Sequence, residues 1–119
     1  MNIEDLRTYC IKKPFVTEEF PFDESVLVFK VAGKIFLLTD VNDYKSINLK
    51  GEPETNIELR EKFYFIKPGY HMNKKHWNTV TLEDELTYNL LTQMIDTSYN
   101  LVYQNLPLKL RNELNKSVL

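Results

Sequence analysis

The side chains of this 119-residue chain best suited to chemistry lie together, between Lys67 and Trp77. Within that run Tyr70, His71, Asn73, Lys74, Lys75, His76 and Trp77 follow a Pro68-Gly69 turn signal. Imidazoles move protons near neutral pH, lysines and amides contact phosphates, and aromatic rings stack on bases. The spacing limits what these groups can do. His71 and His76 are five positions apart with Lys74 and Lys75 between them, and no acidic residue lies between Ile66 and Thr81. Such a charge balance opposes a bound cation and supplies too few ligands, so no metal is expected. A histidine acting as general base would need a partner from elsewhere in the chain, for which Ser98, Tyr99 and Cys10 are the candidates. The plainest alternative is that one histidine braces the loop and the other is exposed.

Read as a surface, the stretch is more informative. From Arg60 to His76 the charges are Arg60, Lys62, Lys67, Lys74 and Lys75 against Glu61 alone, whereas acidic residues dominate Met1 to Glu24. Lys30 and Lys34 flank a second candidate hairpin. The leading expectation is a non-enzymatic DNA-binding protein. Lys30, Lys34, Lys67, Lys74 and Lys75 would meet phosphates, and Tyr70, His71, Asn73, His76 and Trp77 would stack or hydrogen-bond. The same surface, or the aromatic run Phe20 to Phe22, could instead serve a protein or small-ligand partner. A third reading is an enzyme with His71 or His76 as acid–base. Against all three stands an ordinary lysine-bearing sheet edge, since lysine also keeps edges from pairing.

Bulk properties narrow the field. Fifteen basic and seventeen acidic residues give a formal charge of −2, so attraction to nucleic acid must be local. The single cysteine, Cys10, excludes an internal disulfide. Glu4 and Asp5 stand where a secretion leader carries positive charge, and no apolar run approaches a membrane span. A cytoplasmic protein without a membrane partner is expected. Dinucleotide and phosphate-loop fingerprints, the zinc-protease helix and the nucleophile elbow are absent, so no cofactor is expected.

The elements that must position these residues follow from periodicity. Asn2 caps a helix that ends before Pro14. Phe15 to Glu24 reads as a loop. Val26–Val31 and Lys34–Thr39 are strands around a tight Ala32-Gly33 reversal, with Gly33 at positive φ. Tyr44–Lys50 alternates as a third strand. Gly51-Glu52-Pro53 breaks the sheet and starts a helix to about Lys62. Phe63–Lys67 and Trp77–Leu82 are the last two strands, with Asn78, Val80 and Leu82 sharing one side of the latter. Leu86, Leu90, Leu91, Met94, Ile95, Ser98, Tyr99 and Val102 repeat at helical spacing. Leu108–Leu114 is a candidate short helix. The expected fold is a single α+β domain over residues 1–119. It has two layers, a five-stranded antiparallel sheet covered by helices in the order α-β-β-β-α-β-β-α.

Lys67 through Val80, together with Phe20-Pro21-Phe22, Phe29-Lys30-Val31, Gly33-Lys34-Ile35-Phe36, Leu49-Lys50 and Ser98–Val102, closely resembles the pattern of the MmcQ/YjbR-like proteins. The resemblance spans nearly the whole chain. It implies a compact α+β domain of secretion-chaperone-like topology and a double-wing motif for DNA. The wing positions would be Lys30, Gly33 and Lys34 at one hairpin and Tyr70, His71, Asn73, Lys74, Lys75 and His76 at the other. The family pattern often has a cysteine soon after the lysine matched by Lys50; here Gly51 follows.

Overall fold

The hydrophobic alternation of the central strands is realised in a computed structural model that describes residues 1–117. In chain order the elements are α1 (Ile3–Ile11), β1 (Val16–Glu19), β2 (Val26–Val31), β3 (Lys34–Asp40), β4 (Ser46–Lys50), α2 (Pro53–Lys62), β5 (Ile66–Pro68), β6 (Trp77–Thr81), α3 (Tyr88–Gln104) and α4 (Leu108–Ser117). The strands form one antiparallel six-stranded sheet in the order β1-β2-β3-β4-β6-β5. The α+β class holds. The five-stranded sheet and the order α-β-β-β-α-β-β-α do not: the observed order is α-β-β-β-β-α-β-β-α-α.

The additional strand is β1, within the segment expected to be a loop. Val16 is its only aliphatic residue, too little alternation to signal a strand. It forms because it lies at the sheet edge, where charged side chains are favoured over apolar ones. Both of its acids are occupied. Glu18 accepts 2.7 and 2.8 Å hydrogen bonds from the Arg7 guanidinium of α1, and Glu19 lies 3.4 Å from the Lys30 ammonium of β2. The additional helix is α4, the candidate segment after Pro107, which forms ten residues of helix.

One face of the sheet carries the core. Leu27, Phe29, Leu37, Ile47, Leu49, Ile66 and Val80 pack with Leu91, Met94, Ile95, Tyr99 and Val102 of α3 and with Leu6 and Cys10 of α1. Between β2 and β3 the register shifts, so that Phe36 is an additional residue on β3. Phe36 and its neighbour Leu37 are both fully buried, and Phe36 meets Tyr99 edge-on at 5.4 Å. Ser98 serves this irregularity: its hydroxyl donates to the Phe36 carbonyl at 2.5 Å and accepts from the Lys50 N–H at 2.9 Å. α3 begins at Thr87, whose side chain caps the Leu90 N–H, so Glu83, Asp84 and Glu85 lie in the turn before it. No helix is long and apolar enough to cross a membrane among the described residues.

The β2–β3 reversal places Ala32 at φ +47° and Gly33 at +86°. A left-handed alanine is strained, while asparagine tolerates that region and suits this turn. Ala32→Asn should therefore raise stability by about 0.5–1 kcal/mol. A urea titration measures it, and an unchanged or lower midpoint contradicts the assignment. A second expectation concerns acid. Hydrogen bonds from Arg7 hold the Glu18 carboxyl below its ordinary value of 4.5. The stabilisation is complete above that value and is lost as pH falls through the lowered one. The stability difference between wild type and Glu18→Gln should thus shrink on going from about pH 6 to about pH 3. A pH-independent difference would contradict it.

Candidate nucleic-acid interface

The strand registers bring three segments to one end of the sheet. Val31 pairs with Lys34, Leu37 with Leu49, Lys50 with Trp77, and Pro68 with Asn78. The β2–β3 turn, the end of β4 and the β5–β6 connection are therefore neighbours. Lys34, Lys50, Lys67, Lys74 and Lys75 all belong to this end, with Glu52 as an acidic residue among them. The opposite end carries Asp23 and Glu24 before β2, Asp40 and Asp43 around the β3–β4 turn, and Glu83, Asp84 and Glu85 after β6, with Lys45 beside them. The near-zero total charge thus hides a gradient along the strand axis.

The connection from Gly69 to His76 is a bonded loop. Its base is closed by the Gly69 N–H donating to the Trp77 carbonyl at 2.7 Å. The Trp77 N–H donates to the Asn73 carbonyl at 2.9 Å. Asn73 Oδ1 accepts from the Lys75 and His76 N–H groups at 3.0 and 3.3 Å, so this amide shapes the loop from within. Lys74 Nζ donates to the Gly69 carbonyl at 3.0 Å, and the Tyr70 N–H donates to Thr79 Oγ1 at 3.0 Å. The Tyr70 ring is 71% exposed, and its centroid lies 4.0 Å from that of His71. His71 takes φ +59°.

The loop is held from below by α2. Asn78 occupies the core side of β6, beside Val80, and is 3% exposed. It donates to Asn56 Oδ1 of α2 at 2.8 Å and accepts from Arg60 Nε at 2.7 Å. Asn56 is fully buried and donates to the carbonyls of Gly51 and Lys75, both at 3.2 Å. Arg60 Nη2 donates to the carbonyls of Lys74 at 2.6 Å and Trp77 at 3.0 Å. Burial lowers the Arg60 pKa from its ordinary value, yet an arginine remains cationic at neutral pH. No carboxylate pairs with it among the described residues. Arg60 therefore adds an uncompensated positive charge directly beneath the loop.

The expected site residues separate on inspection. Lys34, Lys67, Tyr70, His71, Asn73, Lys74 and Lys75 are exposed, and His76 and Trp77 are half-buried. None of Lys34, Lys67, Lys74 and Lys75 is ion-paired among the described residues. Lys30 stands apart: it is inside β2, half-buried and paired with Glu19. The partners suggested for a catalytic histidine have other engagements. Ser98 serves Phe36 and Lys50, Tyr99 donates to the Pro14 carbonyl at 2.6 Å, and Cys10 is buried with its thiol pKa pushed up to about 12 by that burial. The sequence offers Arg60 only as a local charge and Lys50 only as part of the family pattern, and Asn56 not at all. The available signals were an amide, Asn78, in an apolar register beside Val80, and the four-residue spacing of Asn56 and Arg60 on one side of a helix.

Gly51 belongs to the same construction. A Cβ at Gly51 would overlap Asn56 Oδ1, so no side chain fits there while Asn56 holds its place. Gly51→Ala should cost about 2 kcal/mol in the wild type. In an Asn56→Ala background the same change should cost under about 0.5 kcal/mol. Urea unfolding of the four proteins reads the coupling, and additive costs would contradict the contact.

The YjbR family model matches residues 11–101. The protein YbdF of Escherichia coli O157:H7 is 39% identical over 104 residues, covering 87% of this chain and 85% of that protein. The protein YjbR of Escherichia coli strain K12 is 31% identical over 108 residues, covering 90% and 92%. Among solved structures, the crystal structure of Deinococcus radiodurans protein DR2400, assigned to the domain DUF419, superposes with a TM-score of 0.90. It is 40% identical, over 96% of this chain and 88% of that one. A crystal structure of a Pseudomonas syringae protein gives a TM-score of 0.71 at 31% identity, over 86% and 99% of the two chains.

Proposed function

This chain belongs to the YjbR family, and we propose that it binds duplex DNA, without catalysing a reaction, through the basic end of its sheet. The observation that carries this reading is the charge gradient along the strands. Unpaired lysines gather at the end with the two turns, and carboxylates gather at the other. The two turns act as wings. The centre of the β2–β3 hairpin is three strand spacings from the centre of the β5–β6 pair, about 14 Å across the sheet. That is on the order of the major-groove width of B-DNA, about 12 Å, so both wings can follow backbones flanking one groove.

The parts divide by chemistry. Lys34, Lys67, Lys74 and Lys75 neutralise phosphates, with Arg60 adding to the potential from beneath. Tyr70 and His71, tilted together at the exposed crest, meet sugar or base edges. Asn73, His76 and Trp77 act through the shape of the loop, because their groups are bonded or half-buried within it. Lys30 contributes through β1, since Glu19 takes its charge.

Titrating a labelled duplex across salt concentrations tests this. Affinity should fall linearly on logarithmic axes as salt rises, and replacing Lys74 and Lys75 together by alanine should reduce that slope by about 2. Absence of binding at micromolar protein in low salt contradicts the proposal.

A further inference from the structure

Between α2 and α3, against the end of β4, opens a cleft of about 160 Å³. Leu49, Leu59, Leu90 and Met94 give it apolar walls. A cavity of about 150 Å³ accommodates a benzene-sized group, so a branched aliphatic or small aromatic side chain fits. Asn56 and Asn78 also line it, but their amide groups are engaged with each other, with Arg60 and with the carbonyls of Gly51 and Lys75. That wall therefore offers a ligand shape rather than free hydrogen bonds. Neither His71 nor His76 lines the cleft, which separates it from the crest of the loop.

Thr55, Gln93 and Thr97 add uncharged polar groups, and Lys50 and Glu52 are the charged residues of the lining. Lys50 and Glu52 sit two residues apart on either side of Gly51, and neither is ion-paired among the described residues. The Lys50 backbone is anchored by its N–H to Ser98, so this lysine starts from a fixed point at the head of β4. An uncharged apolar ligand would leave both charges unused. A carboxylic acid would meet Lys50 but face Glu52, and an amine would do the reverse. A ligand bearing both charges beside an apolar group matches the apolar walls and both charged residues, and leaves Thr55, Gln93 and Thr97 free to hydrogen-bond its polar end.

We propose that this cleft binds an apolar α-amino acid, with its side chain between α2 and α3, its carboxylate on Lys50 and its ammonium on Glu52. The binding is independent of the DNA reading, and its test contains no DNA. The probes are L-leucine, 4-methylpentanoate, which lacks the amine, and 3-methylbutylamine, which lacks the carboxylate. Each is titrated into ¹⁵N-labelled full chain at millimolar concentrations and followed by amide chemical shifts. L-leucine should give saturable shifts clustered on α2, α3 and the end of β4, and each analogue should bind about tenfold more weakly. Lys50→Met should remove the advantage of leucine over 3-methylbutylamine, and Glu52→Gln its advantage over 4-methylpentanoate. Met94→Trp, which fills the cleft, should abolish the shifts in a chain whose spectrum stays dispersed. Absence of saturable shifts, equal affinity for all three probes, or unchanged selectivity in both charge variants overturns the proposal.

Discussion

Two buried amides, Asn56 on α2 and Asn78 on β6, bond to each other in a place where the strand pattern calls for aliphatic side chains. Their remaining capacity goes to Arg60 and to the carbonyls of Gly51 and Lys75. Of the apolar side chains of α2, Leu59 packs partly buried against the core. Asn56 is its only fully buried residue, and Ile57 is 55% exposed. The helix is thus docked by hydrogen bonds more than by apolar burial. Leaving a buried amide unpaired costs about 1–3 kcal/mol, so the network holds only when every member is present.

From that constraint the shape of the basic end follows. The network grips the loop by backbone carbonyls of Lys74, Lys75 and Trp77, which leaves both lysine side chains exposed, Lys74 with its ammonium on the Gly69 carbonyl. A loop that is already ordered loses less conformational entropy on meeting a partner than a free one would. Arg60 serves twice, as the donor to three acceptors and as a cation without a counter-ion. Gly51 is the steric complement of Asn56, and the same two amides line the cleft between α2 and α3 at the end of β4.

Much of this was legible in the residues. The Ala32-Gly33 reversal, the meander through Lys50 and the long helix carry strong local signals, and each is present in the fold. The expected Pro68-Gly69 turn is not: Pro68 ends β5, Gly69 extends the pairing by donating to the Trp77 carbonyl, and the chain reverses at Tyr70-His71, where the Met72 N–H donates to the Gly69 carbonyl. β1 was not legible, because Val16-Thr17-Glu18-Glu19 becomes a strand only through pairing with β2 and through the partners Arg7 and Lys30. The cluster of exposed lysines near Tyr70 was visible as composition. Lys34 was grouped with it as the flank of a second hairpin, but the addition of Lys50 was not legible, since Lys50 lies on β4 and meets β6 only through the strand order. The engagement of Lys30 by Glu19 was hidden for the same reason. The strand alternation puts Asn78 on the side of Val80, and that register is what places its amide in the core.

The central claim is that one end of the sheet, and not the lysine content at large, engages DNA. Lysine acetylation footprinting with and without duplex tests it residue by residue. Lys34, Lys67 and Lys75 should be protected, with Lys45 at the acidic end and Lys116 in α4 unchanged. Equal protection of all five, or protection centred on Lys45, would contradict it.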